Sequence, residues 1–237
     1  MSAARLTFFT RFLLLLLLAV VSNTAISQSL SDNHDPVYGY DPLLYNGRIY
    51  YFYQPGTGGT QYLHENFDTR GTITLRGTTF TNLSINYDVY NQILVLKYKD
   101  AIGSNKLIEV SYAWLESFTL GGYPFEYIGE SNETRRFYQV LGSGSKKILY
   151  YYRKDMLLHN QAISGLYYFS KTIKEKYVLN DNHIVKFNNN KGFLAAFSTD
   201  QQVLIKKYIR KQNINVKKAN DVILTDLINY CKTLVGS

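Results

Sequence analysis

Between positions 48 and 187 the chain is a succession of short runs rich in aromatic and β-branched residues, each closed by turn chemistry. Residues 48–53 stop at Pro55-Gly56, and 72–76 stop at Gly77. Residues 80–90 and 93–98 are joined by Asn91-Gln92, and 107–112, 116–120 and 125–128 follow. Residues 136–141 and 147–153 flank Gly142-Ser143-Gly144-Ser145, while 166–169, 174–179 and 183–187 complete the series, the last two around Asn180-Asp181-Asn182. Alternating apolar positions mark strands, and Gly, Asn and Asp supply the positive φ that tight hairpins demand. About a dozen strands with no helix between them predict a mainly β fold: an antiparallel meander forming a sandwich, an open barrel or a bent sheet. Parallel α/β architecture is excluded, because its crossovers need helices.

Composition agrees with this reading. The 22 Tyr and 13 Phe favour half-buried pleated surfaces, and 46% hydrophobic against 19% charged residues excludes disordered and collagen-like chains.

The period changes in the last fifty residues. Phe193, Leu194, Phe197, Leu204, Ile205, Tyr208 and Ile209 recur at spacings of three and four, and Ser198 with Gln201 forms a capping-box pattern. A helix over 200–212 is expected to dock through Leu204, Ile205, Tyr208 and Ile209. A second helix, capped by Asn220, presents Ile223, Leu224, Leu227, Ile228, Cys231, Leu234 and Val235. The predicted organisation is therefore a β region over 28–187 and a basic amphipathic helical segment over 188–237 packed on it.

Residues 1–27 are set apart as a secretory signal peptide. Arg5 and Arg11 precede an unbroken apolar run over 12–21, and Ala25 and Ser27 fit cleavage before Gln28. The run is too short to span a bilayer of about 30 Å, and the mature chain carries no candidate transmembrane segment. Cys231 is the single cysteine, so no internal disulfide is available. Export without disulfides suits the periplasm or outer cell surface of a Gram-negative bacterium.

Charge is uneven. Residues 28–185 hold 15 basic and 15 acidic side chains, whereas 186–237 hold 9 basic against 3 acidic. Lys206, Lys207, Arg210 and Lys211 form a ridge at helical spacing, a candidate contact for an anionic membrane surface. Nucleic acid is not an expected partner of an exported chain.

Few motifs carry chemistry. His34, His64, His159 and His183 are scattered, so neither a metal site nor any cofactor is expected. The glycine-rich turns at 56–59 and 142–145 lack the Lys-Ser/Thr of a phosphate loop. Glu65, Asp68, Asp88, Glu109 and Glu116 are the acids a glycan hydrolase could use. Asp88, placed between Tyr87 and Tyr90 in a strand, is the most unusual of them, because an acid there needs partners. Consecutive tyrosines at 50–51, 150–152 and 167–168 cannot all face one side of a sheet. Tyr51, Tyr53 and Tyr151, with Asp88, are the candidate binding residues, rings of this kind being suited to stacking on sugars or to a protein interface.

The runs over 44–50, 77–90 and 206–213 make the chain similar to a loose group of uncharacterised exported β-rich proteins of Bacteroidota-type bacteria. That resemblance implies an envelope location and carries no site or cofactor. Together these features lead us to expect a non-enzymatic envelope protein with a binding or structural role, its partner an envelope protein, a glycan or an anionic membrane surface. The alternative is a hydrolase of a polysaccharide or cell-wall component.

Overall fold

Twelve strands and three helices make up the computed structural model, which describes residues 41–52, 56–100, 102–129, 136–158 and 167–234. The signal-peptide stretch, His34, Tyr53, His159 and Val235 lie outside the described residues. The strands are β1 (Arg70–Leu75), β2 (Thr78–Asp88), β3 (Ile93–Lys99), β4 (Asn105–Glu109), β5 (Leu115–Leu120), β6 (Tyr123–Ile128), β7 (Arg136–Leu141), β8 (Lys146–Arg153), β9 (Met156–Leu158), β10 (Tyr167–Phe169), β11 (Ile173–Asn180) and β12 (His183–Phe187). Three helices follow: α1 (Asn190–Leu194), α2 (Thr199–Lys211) and α3 (Asp221–Thr233).

Ten strands form one antiparallel sheet in the order β12-β11-β8-β7-β6-β5-β1-β2-β3-β4. The chain meanders outward from β1 to β4, returns to pair β5 with the free side of β1, and then meanders to β8. The β9–β10 hairpin is a separate excursion before β11 pairs with β8. The tight turns sit where positive φ was expected: Gly142 and Gly144 between β7 and β8, and Asp181 between β11 and β12.

Alternation gives the sheet one continuous apolar face. Over β1–β7 that face closes on itself around Ile73, Ile85, Tyr87, Leu96, Phe118 and Phe125. Curvature brings Tyr112, just after β4, onto Tyr127 and Phe137, with ring centroids 6.2 and 5.8 Å apart. Gln92, in the β2–β3 turn, donates to the Tyr152 carbonyl at 3.0 Å. An open barrel is the description these closures support. Over β7, β8, β11 and β12 the same face is covered by the helices, through Ile148, Tyr150, Val178, Phe193, Ile205 and Leu227. Leu94, Leu96, Val110, Phe118, Leu120, Val140 and Leu149, the interior positions that strand alternation selects, are all buried.

The helix starts follow the sequence. Ser198 and Gln201 form the reciprocal capping box of α2, and Asn220 accepts from the Ile223 N–H at 2.9 Å to start α3. Their buried faces are narrower than expected. Leu204 is 46% exposed and Ile223 is also exposed, so neither belongs to the docked stripe. A helix turns about 100° per residue, so a stripe centred on Ile205 and Ile209 carries Leu204 out to its flank. Residues 48–53, expected as a strand, contribute one isolated pairing, Ile49 with Ile108.

Candidate binding site at the aromatic rim

Gly47 opens the site, because a Cβ there would stand 1.9 Å from the Glu109 carbonyl oxygen. Only a glycine lets the chain turn in against β4. The next residues pair with it: Tyr50 N–H donates to the Leu107 carbonyl and Glu109 N–H to the Arg48 carbonyl, both at 2.9 Å. Alternation then buries Tyr50 and turns Ile49 and Tyr51 outward, with Tyr51 78% exposed. An open pocket of about 380 Å³ forms beside them, lined by Arg48, Tyr51, Asn91, Ile93 and Glu109. The Arg48 guanidinium donates from Nε to Glu109 Oε2 at 2.6 Å across its wall.

Behind the pocket lies Asp88, fully buried. Its Oδ2 accepts from the Tyr50 hydroxyl at 2.5 Å and from Asn91 Nδ2 at 2.8 Å. Its Oδ1 accepts from the backbone N–H groups of Tyr90 and Asn91 at 3.0 and 2.8 Å. Gln61 Nε2 donates to the Tyr50 hydroxyl at 3.1 Å. Burial, with the Asp88 hydrogen bond adding to it, holds the Tyr50 hydroxyl far above its ordinary pKa, so it stays a donor. Burial, with the nearby Asp88 adding to it, pushes the neighbouring Tyr62 up to about 12. With four donors on two oxygens and no exposed surface, Asp88 closes the β2–β3 turn and supports Tyr50 and Asn91 from within. It is not among the side chains that line the pocket.

The rim continues along the β9–β10 hairpin. Leu157, Leu158, Tyr167 and Tyr168 are exposed there. A two-stranded hairpin is only marginally stable by itself. This one is fastened by Gly58, whose N–H donates to the Tyr167 carbonyl at 2.8 Å and whose carbonyl accepts from Phe169 N–H at 3.0 Å. Phe169 packs against Phe52 and Tyr90, each at 5.4 Å between centroids. Tyr51 and the exposed hairpin tyrosines are thereby tied to one framework through Phe52 and Phe169. Tyr53 lies outside the described residues.

Tyr151 is elsewhere. It is 9% exposed on the reverse face of β8, beside Tyr138 at 5.9 Å and beneath the Arg136 guanidinium, and so does not present a free ring. Tyr150 and Tyr152 face the other way and are anchored too, donating to Asp221 at 2.7 Å and to Gln139 at 2.6 Å. The 150–152 triplet has both faces covered. Lys206, Lys207, Arg210 and Lys211 are all exposed on α2. Of the other acids, Glu116 accepts from Gly77 N–H at 3.1 Å, and Glu65 and Asp68 are exposed outside the pocket. Among the described residues no three His, Cys, Asp or Glu side chains are grouped to hold a metal ion, and no helix is long and apolar enough to cross a membrane.

Neither a protein-family model, nor a curated protein, nor a solved structure matches the chain. The chemistry of the rim is therefore read from its own groups: an exposed ring, a primary amide and a paired guanidinium and carboxylate around an open hollow. Arg48, Asn91 and Glu109 were not singled out together by their sequence positions. Only the pairing of residues 48–50 with β4, and the β2–β3 turn, bring them to one place.

Proposed function

We propose that this is a non-enzymatic exported envelope protein, resident in the periplasm or on the outer surface of a Gram-negative bacterium, that binds a glycan at its aromatic rim. The observation that carries the reading is Tyr51, a large ring left exposed beside Asn91 and the Arg48–Glu109 pair. A flat ring offers its face to the C–H side of a sugar, while the planar amide and charged groups suit vicinal hydroxyls. The resemblance to exported proteins of Bacteroidota-type bacteria points to the same compartment. Hydrolysis would ask for a second acid opposite Glu109, and both oxygens of Asp88 are already committed to internal donors.

The test is binding of the chain from Gln28 onward to an array of soluble envelope and cell-wall oligosaccharides, with hits titrated by calorimetry. Tyr51→Ala should weaken a hit at least about tenfold, the scale of one well-placed aromatic contact. Tyr123→Ala, which removes an exposed ring from the start of β6, should leave it unchanged. Absence of any hit, or equal loss in both variants, overturns the glycan reading, and release of new reducing ends during titration would favour the hydrolase.

A further inference from the structure

We infer that the outer face of α2, together with the start of α3, is a docking surface for an anionic phospholipid bilayer. The inference is independent of the glycan reading, since none of these residues belongs to the rim. Lys206, Lys207, Arg210 and Lys211 are exposed, and none of them forms a salt bridge among the described residues. Among them stand two apolar side chains that the fold leaves in water: Val203, 65% exposed, and Leu204. At about 100° per residue, Val203, Lys207 and Arg210 lie within roughly 40° of the direction opposite Ile205, the buried anchor of the helix. Leu204 and Lys211 share one flank of that row, and Lys206 lies on the other.

The surface continues onto α3. Tyr208 and Gln212 of the α2 side and Lys218, Ile223 and Asp226 of the α3 side line one shallow groove. Tyr208 and Tyr230 stack across the two helices at 4.0 Å. Val222 and Ile223 are exposed at its end, a few residues after the exposed Lys217 and Lys218. Acids hardly offset the charge: Asp221 is turned inward to the Tyr150 hydroxyl at 2.7 Å and toward Lys174 at 3.7 Å, leaving Asp200 and Asp226 against six basic side chains.

Charge complementarity decides that the occupant is anionic, and the apolar residues decide its kind. A soluble polyanion gives Val203, Leu204, Val222 and Ile223 nowhere to go. A bilayer interface accepts apolar side chains at the headgroup boundary while phosphates neutralise the flanking lysines. Each Lys or Arg near an anionic surface raises partitioning about fivefold at physiological salt. The four on α2 together therefore command more than about a hundredfold.

The experiment is co-sedimentation of the chain from Gln28 onward, which contains the compact unit Pro42–Ser237, with vesicles of equimolar phosphatidylcholine and phosphatidylglycerol, and with phosphatidylcholine alone. Wild type should pellet with the anionic vesicles at 0.1 M salt and be released at 1 M, as the Debye length falls from about 10 to about 3 Å. The variant with Lys206, Lys207, Arg210 and Lys211 changed to Gln should lose at least about a hundredfold in partitioning. Val203→Gln with Leu204→Gln, which keeps every charge, should lose roughly tenfold. All four basic positions and both apolar ones are exposed, and unchanged far-UV circular dichroism checks that each variant is folded. Wild type remaining in the supernatant at 0.1 M, or either variant pelleting like wild type, overturns the inference. So does full suppression of vesicle binding by dextran sulfate together with indifference to the Val203/Leu204 change, which would assign the face to a soluble polyanion.

Discussion

Replacing Asp88 should weaken the whole sheet while touching no exposed surface. Asp88→Ala removes the acceptor for four donors: the Tyr50 hydroxyl, the Asn91 amide and two turn N–H groups. Tyr90 and Asn91 are exposed, so water can take over their N–H groups, and each bond lost there costs about 1 kcal/mol. The Tyr50 hydroxyl is buried and loses a charge-assisted bond worth about 1.5 to 3 kcal/mol. With three bonds lost at Tyr90 and Asn91, the sum is about 4.5 to 6 kcal/mol. Asp88→Asn keeps an oxygen for the turn N–H groups and asks Tyr50 and the Asn91 amide to reverse, so it should cost about 1 to 2 kcal/mol. Equilibrium urea unfolding, followed by intrinsic fluorescence and circular dichroism, measures both. Crossing Asp88→Ala with Tyr50→Phe isolates the buried pair and should give a coupling of at least about 1 kcal/mol. A cost below about 0.5 kcal/mol for Asp88→Ala, or additivity in the cross, would refute the assignment of Asp88 as an internal clamp.

Three further outcomes are expected. Leu96→Ala, in the centre of β3, should cost about 2 to 5 kcal/mol in the same urea assay, and a value below about 0.5 would mean that the inward phase of the strand is wrong. Glu175 is pushed up by burial, but hydrogen bonds from Tyr177, Lys186 and Arg153 outweigh that and hold it below its ordinary 4.5. A depressed carboxylate stabilises the fold above its unfolded pKa and loses that contribution as pH falls through the folded one. Wild type should therefore lose stability below about pH 4.5 more steeply than Glu175→Gln, measured as melting temperature against pH. Cys231 is buried and its thiol pushed up to about 12 by that burial, so a thiol reagent should leave the native protein unmodified at pH 8 and label it fully in urea.

Local chemistry accounts for what was legible in the sequence. Alternation at Leu94 and Leu96, positive-φ turns at Gly142 and Asp181, and the Ser198–Gln201 box each need only neighbouring residues, and each sits where expected. Leu204 shows where local reading stops. Period places it beside Ile205, yet how wide a stripe a helix buries depends on the surface it lies on, and that surface includes strand residues as distant as Leu141. The β9 strand, Met156–Leu158, is three residues long and has no alternation to detect. Tyrosines pose the same difficulty in sharper form. Identical neighbours at 150–152 are buried or half-buried, whereas Tyr51, Tyr167 and Tyr168 are exposed, because only the former have helices on one side and the Tyr138 cluster on the other. The rim joins Arg48, Asn91 and Glu109 by antiparallel pairing, information that spacing does not contain.

Strand β8 explains how one sheet can serve both an open barrel and a helical layer. Ile148 and Tyr150 point into the helical core, and the Tyr150 hydroxyl reaches Asp221 in the first turn of α3. Tyr152, next along the same face, packs against both the helical core and the barrel core, and its carbonyl receives Gln92 from the β2–β3 turn. Leu149 and Tyr151, facing backwards, hold the third cluster with Tyr138, Val140 and Leu179. A strand that supplies side chains to three cores cannot detach without opening all of them, so melting of the helices and of the barrel is coupled through residues 148–152. That coupling makes the surfaces at the two ends differ in kind from the interior. Tyr51 and Val203 can be exchanged at little cost in folding, whereas Tyr150 and Tyr152 cannot, because only the latter fill the cores that the strand joins.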